Sequence, residues 1–143
     1  MSLISKKIIM SFLAFGTLSP SEPNEHTGVF LRKNDITSLA HSGACLQKPV
    51  RIEHGNTDVG VVISAWEHDG KLDCVFKLNN DSIESLLARG FVQSGCCPEL
   101  SLGYSVVMEN SEQGLTGGYK EVNEISIVKK GARHSCHIHG FKK

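Results

Sequence analysis

The segment Cys96-Cys97-Pro98-Glu99-Leu100-Ser101-Leu102-Gly103-Tyr104 alternates apolar side chains with small or polar ones. With a side-chain period of two, Leu100 and Leu102 point to one face of a strand, and Glu99, Ser101 and Gly103 to the other. The leucine face suits a core. The opposite face, with an acid, a hydroxyl and a bare backbone position, suits either water or the wall of a pocket, and Gly103 admits close approach of a backbone or ligand. Short apolar runs of the same kind recur at 8–15, 28–32, 49–53, 59–66, 71–78, 100–108, 119–128 and 134–138, with turn-rich patches at 19–27, 54–58, 68–71 and 109–118. This spacing predicts a β-barrel or sandwich. Two helices interrupt it. One spans 35–42, capped by Asp35 and carrying Ile36, Leu39 and Ala40; the other follows Asp81 as N-cap with Glu84 at the third helical position. In the second, Ile83, Leu86 and Leu87 share a face and Gly90 marks the end. The expected fold is mostly β with covering helices (α+β), a closed or strongly curved β-barrel.

The chain has 143 residues, a length that predicts one domain over 1–143 with its own core. Its 15 basic and 15 acidic side chains give a net charge of zero, which offers no electrostatic footprint for nucleic acid or a membrane surface. The cysteines at 45, 74, 96, 97 and 136 form no CxxC pair, so all are read as reduced thiols of a cytosolic or nuclear protein. Lys6 and Lys7 before the apolar run Ile8 to Phe15 imitate a signal peptide, but Ser11 interrupts the run and no small-residue cleavage site follows. The run is read as a core strand, and it is too short to span a bilayer.

A few polar residues stand out. His54 falls where the strand Val50-Arg51-Ile52-Glu53 ends in a tight turn, a place from which an imidazole can reach a neighbouring strand. Glu121 and Glu124 interrupt an apolar strand, where an acid needs a partner or water; their opposite parity lets at most one point where Ser101 points. Lys129 and Lys130 follow at the strand end, a position from which a cation or backbone donor can meet a developing oxyanion. The tail His134-Ser135-Cys136-His137-Ile138-His139 resembles a metal site only superficially, because 134 and 136 share one face of a strand and 137 and 139 the other. Cys96 and Cys97 precede a proline at a turn, with nothing nearby to lower a thiol pKa.

The order His54, Ser101, acidic strand, basic pair resembles the capsid maturation proteases, the group holding herpesvirus assemblins and tailed-phage prohead proteases. The likeness spans nearly the whole chain, from IIMSFLAFGTLS and the HTGVF segment at 26–30 onward. Arg51-Ile52-Glu53-His54 followed by Val59-Gly60-Val61-Val62 resembles the histidine motif, Leu100-Ser101-Leu102-Gly103-Tyr104 the nucleophile motif, and Glu124-Ile125-Ser126-Ile127-Val128 the phage E-V-S-L-V block. The resemblance implies a serine endopeptidase with Ser101 as nucleophile and His54 as general base. A carboxylate stands where herpesvirus enzymes use a second histidine. A gapless alignment with the herpesvirus block places Glu121 there and Lys129-Lys130 on an arginine pair serving the oxyanion hole, whereas the phage block points to Glu124; Glu121 is slightly favoured. Lysine lacks the guanidinium fork, so a backbone N–H at 129 or 130 is expected to contribute more than the side chain. The resemblance further implies a scaffold-protein substrate and the chain's own precursor, a capsid shell around the enzyme, a homodimer, no metal or organic cofactor, and a location inside a viral procapsid in the host cytoplasm or nucleus. The rival reading is a non-enzymatic β-barrel module, binding capsid or scaffold, that keeps the fold without the activity; it predicts no close approach of His54 to Ser101.

Overall fold

Strands form where the alternation places them. The computed structural model describes residues 12–20, 33–111, 114–131 and 136–142, with the backbone alone for 33–34 and 106–120. In chain order the elements are β1 (Leu13–Ser19), α1 (Lys33–His41), β2 (Pro49–Ile52), β3 (Gly60–His68), β4 (Lys71–Leu78), α2 (Ile83–Ser94), β5 (Glu99–Ser111), β6 (Gly114–Val128) and β7 (Ile138–Lys142). The strands make one sheet in the order β5-β6-β2-β3-β4-β1-β7. Neighbours are antiparallel except β2 and β6, which run parallel with Val50 opposite Ile125 and Ile52 opposite Ile127.

The sheet curls until the two ends of this order meet. Glu99 at the start of β5 bridges His137, the Leu100 N–H donates to the Cys136 carbonyl at 2.6 Å, and the Ile138 N–H donates to the Pro98 carbonyl at 2.9 Å. The mostly-β, strongly curved barrel expected from the pattern is the observed fold. Inside the curl lie Phe12, Leu18, Leu72, Phe76, Leu78, Leu100, Ile125 and Ile127, with Ile36 and Leu39 of α1 packed on them. Burial of each large side chain removes apolar surface from water for about 1.5–3 kcal/mol.

The differences from the sequence reading are local. The first strand begins at Leu13 and runs to Ser19, while residues 8–11, the run 28–32 and residues 132–135 lie outside the described residues. The last strand starts at Ile138, at the end of the expected 134–138 run. In α2 the N-cap is Ser82, not Asp81: Ser82 Oγ accepts the Ser85 N–H at 3.1 Å while Ser85 Oγ accepts the Ser82 N–H at 3.1 Å. This reciprocal pair satisfies two orphan donors at once. The helix passes through Gly90 and stops at Gly95, whose φ of 77° closes it in the left-handed conformation. Its buried face is Ser85, Ala88 and Val92, so Ile83, Leu86 and Leu87 share a face that is exposed. Arg89 fixes α2 to the end of β4, donating from Nε to the Asn79 carbonyl at 2.7 Å and from Nη2 to the Leu78 carbonyl at 2.9 Å.

Candidate active site

Strand β6 sits between β2 and β5, and this placement assembles the site. Ser101 of β5 lies opposite Ser126 of β6, Gly103 lies opposite Glu124, and Arg51 of β2 lies beside Ser126 from the other side. Past Ile52 the chain turns sharply, with Glu53 (φ 49°) and His54 (φ 56°) both in the left-handed region that disfavours side chains. Three hydrogen bonds hold the turn: the Glu53 N–H donates to the Ile127 carbonyl at 3.0 Å, the His54 N–H to Ser126 Oγ at 2.9 Å, and the Gly55 N–H to the Ile52 carbonyl at 2.9 Å. The turn folds the His54 ring back across β6 toward β5.

The ring then bridges two side chains. His54 Nε2 lies 3.0 Å from Ser101 Oγ, and Nδ1 lies 2.5 Å from Glu124 Oε1. Glu124 Oε2 accepts the Ser126 hydroxyl at 2.7 Å, so both carboxylate oxygens are engaged. A carboxylate only accepts, so Nδ1 carries the ring proton and Nε2 is left to accept the Ser101 hydroxyl. The hydrogen bond that His54 donates to Glu124 raises the His54 pKa above its ordinary 6.5; burial opposes this, and the charges of Glu124 and Glu53 reinforce it. Burial pushes the Glu124 carboxyl upward, but the hydrogen bonds from His54 and Ser126 outweigh it and leave the pKa below 4.5. The arrangement is therefore poised to carry a carboxylate beside an imidazole that readily takes a proton.

Gly103 makes room for the acid. A Cβ there would overlap Glu124 Oε1 and Cδ, so the bare backbone position beside Ser101 is filled by the carboxylate of the next strand. Leu100 and Leu102 are buried as their parity requires, and Ser101 is 5% exposed, covered by the ring above it.

The favoured Glu121 is not part of this cluster. It is exposed and pairs with Ser105, four positions along β5 from Ser101, or roughly 13 Å at about 3.3 Å per residue. The opposite parity expected of the two acids does not hold, because a register shift between Gly103 and Tyr104 leaves Glu121 opposite Ser105 and Glu124 opposite Gly103, on the same side as Ser101. Distance along the strand is what keeps Glu121 out, while Glu124 is buried with Ser126. Lys129 and Lys130 are exposed in the bend after β6, and the Lys129 N–H expected to face an oxyanion instead donates to Glu53 Oε1 at 2.8 Å. Among the described tail residues Cys136 is buried, with its thiol donating to the Leu18 carbonyl, while His137 lies exposed beside Glu99 and His139 exposed beside Thr17; His134 lies outside the described residues. Burial pushes the Cys97 thiol up, away from the nucleophilic thiolate. Sequence reasoning assigns Ser126 no role of its own. Its shared parity with Glu124 is the signal available in the chain for a group that bridges the His54 backbone and the Glu124 carboxylate.

No family model matches this sequence, and no curated protein does. Solved structures are more informative. The fold is similar to the protease of Kaposi's sarcoma-associated herpesvirus solved with a hexapeptide phosphonate inhibitor, with a TM-score of 0.60 at 14% identity over 93% of this chain. The chain spans 65% of the length of that structure. The same protease in complex with a dimer disruptor superposes with a TM-score of 0.59 at 15% identity, covering 92% of this chain and 76% of that one. The chain thus has the curled-sheet fold of herpesvirus proteases.

Proposed function

We propose that this chain is a serine endopeptidase of capsid maturation, which cuts the internal scaffold protein of a procapsid and its own precursor. The observation that carries the reading is the continuous hydrogen-bonded chain Ser101–His54–Glu124, with 3.0 Å and 2.5 Å links, on a fold similar to herpesvirus proteases. Ser101 Oγ attacks the scissile carbonyl carbon while its proton passes to His54 Nε2, and Glu124 stabilises the imidazolium. The tetrahedral adduct collapses as Nε2–H protonates the leaving amine, leaving an acyl ester on Ser101. A water then gives its proton to Nε2 and attacks the ester, and Ser101 departs with the proton returned. No metal or organic cofactor enters these steps. Positive charge at Lys129 and Lys130 serves the oxyanion in this reading.

The protease works as one domain, as a homodimer, inside the procapsid of an infected cell, with scaffold as substrate and shell protein as surroundings. The dimer is supported by the dimer-disruptor complexes of the structural neighbours; the capsid role is supported by the motif order. The non-enzymatic alternative gives no reason for a serine, an imidazole and a doubly bonded carboxylate to line up. The test is covalent labelling with a fluorophosphonate probe, followed by digestion of a peptide library. Labelling lost in Ser101→Ala and His54→Ala, with cleaved peptides from the unaltered chain, is the expected result. An unlabelled, inactive wild type refutes the protease reading.

A further inference from the structure

The bend after β6 carries Lys129, Lys130 and Gly131, and two acids, one in the turn after β2 and one at the start of β5, hold its backbone. Glu53 Oε1 accepts the Lys129 N–H at 2.8 Å, and Glu99 Oε1 accepts the Gly131 N–H at 2.6 Å. Glu53 immediately precedes His54, and Glu99 stands two residues before Ser101. Gly131 seats against β5 only without a side chain, because a Cβ there would sit 2.7 Å from the Leu100 carbonyl oxygen and 3.1 Å from Cys136 Cβ. The second oxygen of Glu99 lies 3.5 Å from His137 Nδ1, which ties the same acid to the start of β7. Hydrogen bonds from backbone N–H to carboxylate are charge-assisted and stronger than neutral ones.

We propose that Glu53 and Glu99 are positioning residues that clamp the Lys129–Gly131 bend, Glu53 registering it to the base and Glu99 to the nucleophile. The left-handed backbone at Glu53 acquires a purpose here: it turns the His54 ring toward Ser101 while sending the Glu53 carboxylate to the bend. Base, nucleophile and basic bend thereby move as one unit, although they come from the turn after β2, from β5 and from the segment after β6. The catalytic consequence rests on the protease reading; the clamp itself does not.

The test compares Glu53→Ala and Glu99→Ala with Glu53→Gln and Glu99→Gln, at a temperature where all four remain folded. Glutamine keeps a carbonyl oxygen that accepts the same N–H, whereas alanine removes it. The alanine variants are expected to lose about 10- to 100-fold in kcat with KM within about 2-fold, because misplacing a group by about 1 Å costs rate rather than binding. Amide hydrogen exchange should accelerate at Lys129 in Glu53→Ala and at Gly131 in Glu99→Ala, by about 10-fold or more, as the local opening becomes easier. Both glutamine variants should restore protection and most of kcat. Alanine variants with unchanged kcat, or with unchanged exchange at these two amides, overturn the clamp; so do glutamine variants as impaired as alanine, since charge alone would then be acting. If the wild type shows no turnover, the protease reading fails separately, and the exchange at Lys129 and Gly131 still decides whether the clamp exists.

Discussion

Replacing Glu124 by glutamine isolates the role of its charge with little change of volume. In the folded protein Oε1 receives His54 Nδ1 at 2.5 Å and Oε2 receives the Ser126 hydroxyl at 2.7 Å. Glutamine must either lose the negative charge opposite the imidazolium while keeping an acceptor, or flip and donate to Nδ1. The flip moves the ring proton to Nε2 and disables the base. Loss of the third member of such a triad lowers kcat by about 10⁴, which is about 5.4 kcal/mol of transition-state stabilisation at 1.36 kcal/mol per tenfold. The assay is turnover of an activated peptide ester beside fluorophosphonate labelling, with Glu121→Gln in parallel. Glu121 lies exposed opposite Ser105, so its glutamine variant is expected to stay within about 3-fold of wild type, as surface substitutions do. A Glu124→Gln variant as active as wild type, or a collapse in Glu121→Gln, refutes the reasoning.

Four further outcomes follow from the structure. Turnover needs neutral His54, whose pKa is raised above 6.5, so the acid limb of the rate profile should fall above pH 6.5 and move down in Glu124→Gln, where the first-named cause of the shift is gone. The same pair stabilises the fold most between the ordinary Glu and His values of 4.5 and 6.5. That contribution is lost as pH falls through the lowered Glu124 value or rises through the raised His54 value, and it is read as the wild-type minus Glu124→Gln difference in melting temperature against pH. Gly103→Ala should displace the Glu124 carboxylate and lower kcat about 100-fold, while Leu100 and Leu102 keep β5 in the core; an unchanged rate would show that the space at 103 is not needed. Ser82→Ala removes the α2 cap and should cost about 1 kcal/mol in urea unfolding without changing the labelling of Ser101.

Period and turn chemistry make much of this molecule legible in the chain alone. The alternation at Leu100-Ser101-Leu102 determines that the hydroxyl and the core leucines part company, and the turn after Ile52 determines that His54 leaves its strand. Both are local properties of a few consecutive residues, so the chain itself contains them. The cap of α2 falls one position beyond the expected Asp81 because Asp81 and Ser82 are both good N-caps in isolation; the reciprocal bonds between Ser82 and Ser85 decide between them. Ile83, Leu86 and Leu87 share a helix face, but which face meets β4 is set by Arg89 reaching the Leu78 and Asn79 carbonyls from the other side.

The choice between Glu121 and Glu124 lies beyond the sequence for a related reason. Both interrupt one apolar strand, and the register shift that brings them to the same side of the pairing, Glu124 opposite Gly103 and Glu121 opposite Ser105, is not written in the alternation. The parallel pairing of β2 with β6 joins residues 72 positions apart at the His54–Ser126 hydrogen bond, and the antiparallel pairing with β5 then puts Glu124 opposite Gly103. Local alternation and turn chemistry therefore determined that Ser101 and His54 would be presented. Only the register among three strands, a matter of long-range packing, decided which carboxylate stands behind the histidine and which acids grip the bend beside it.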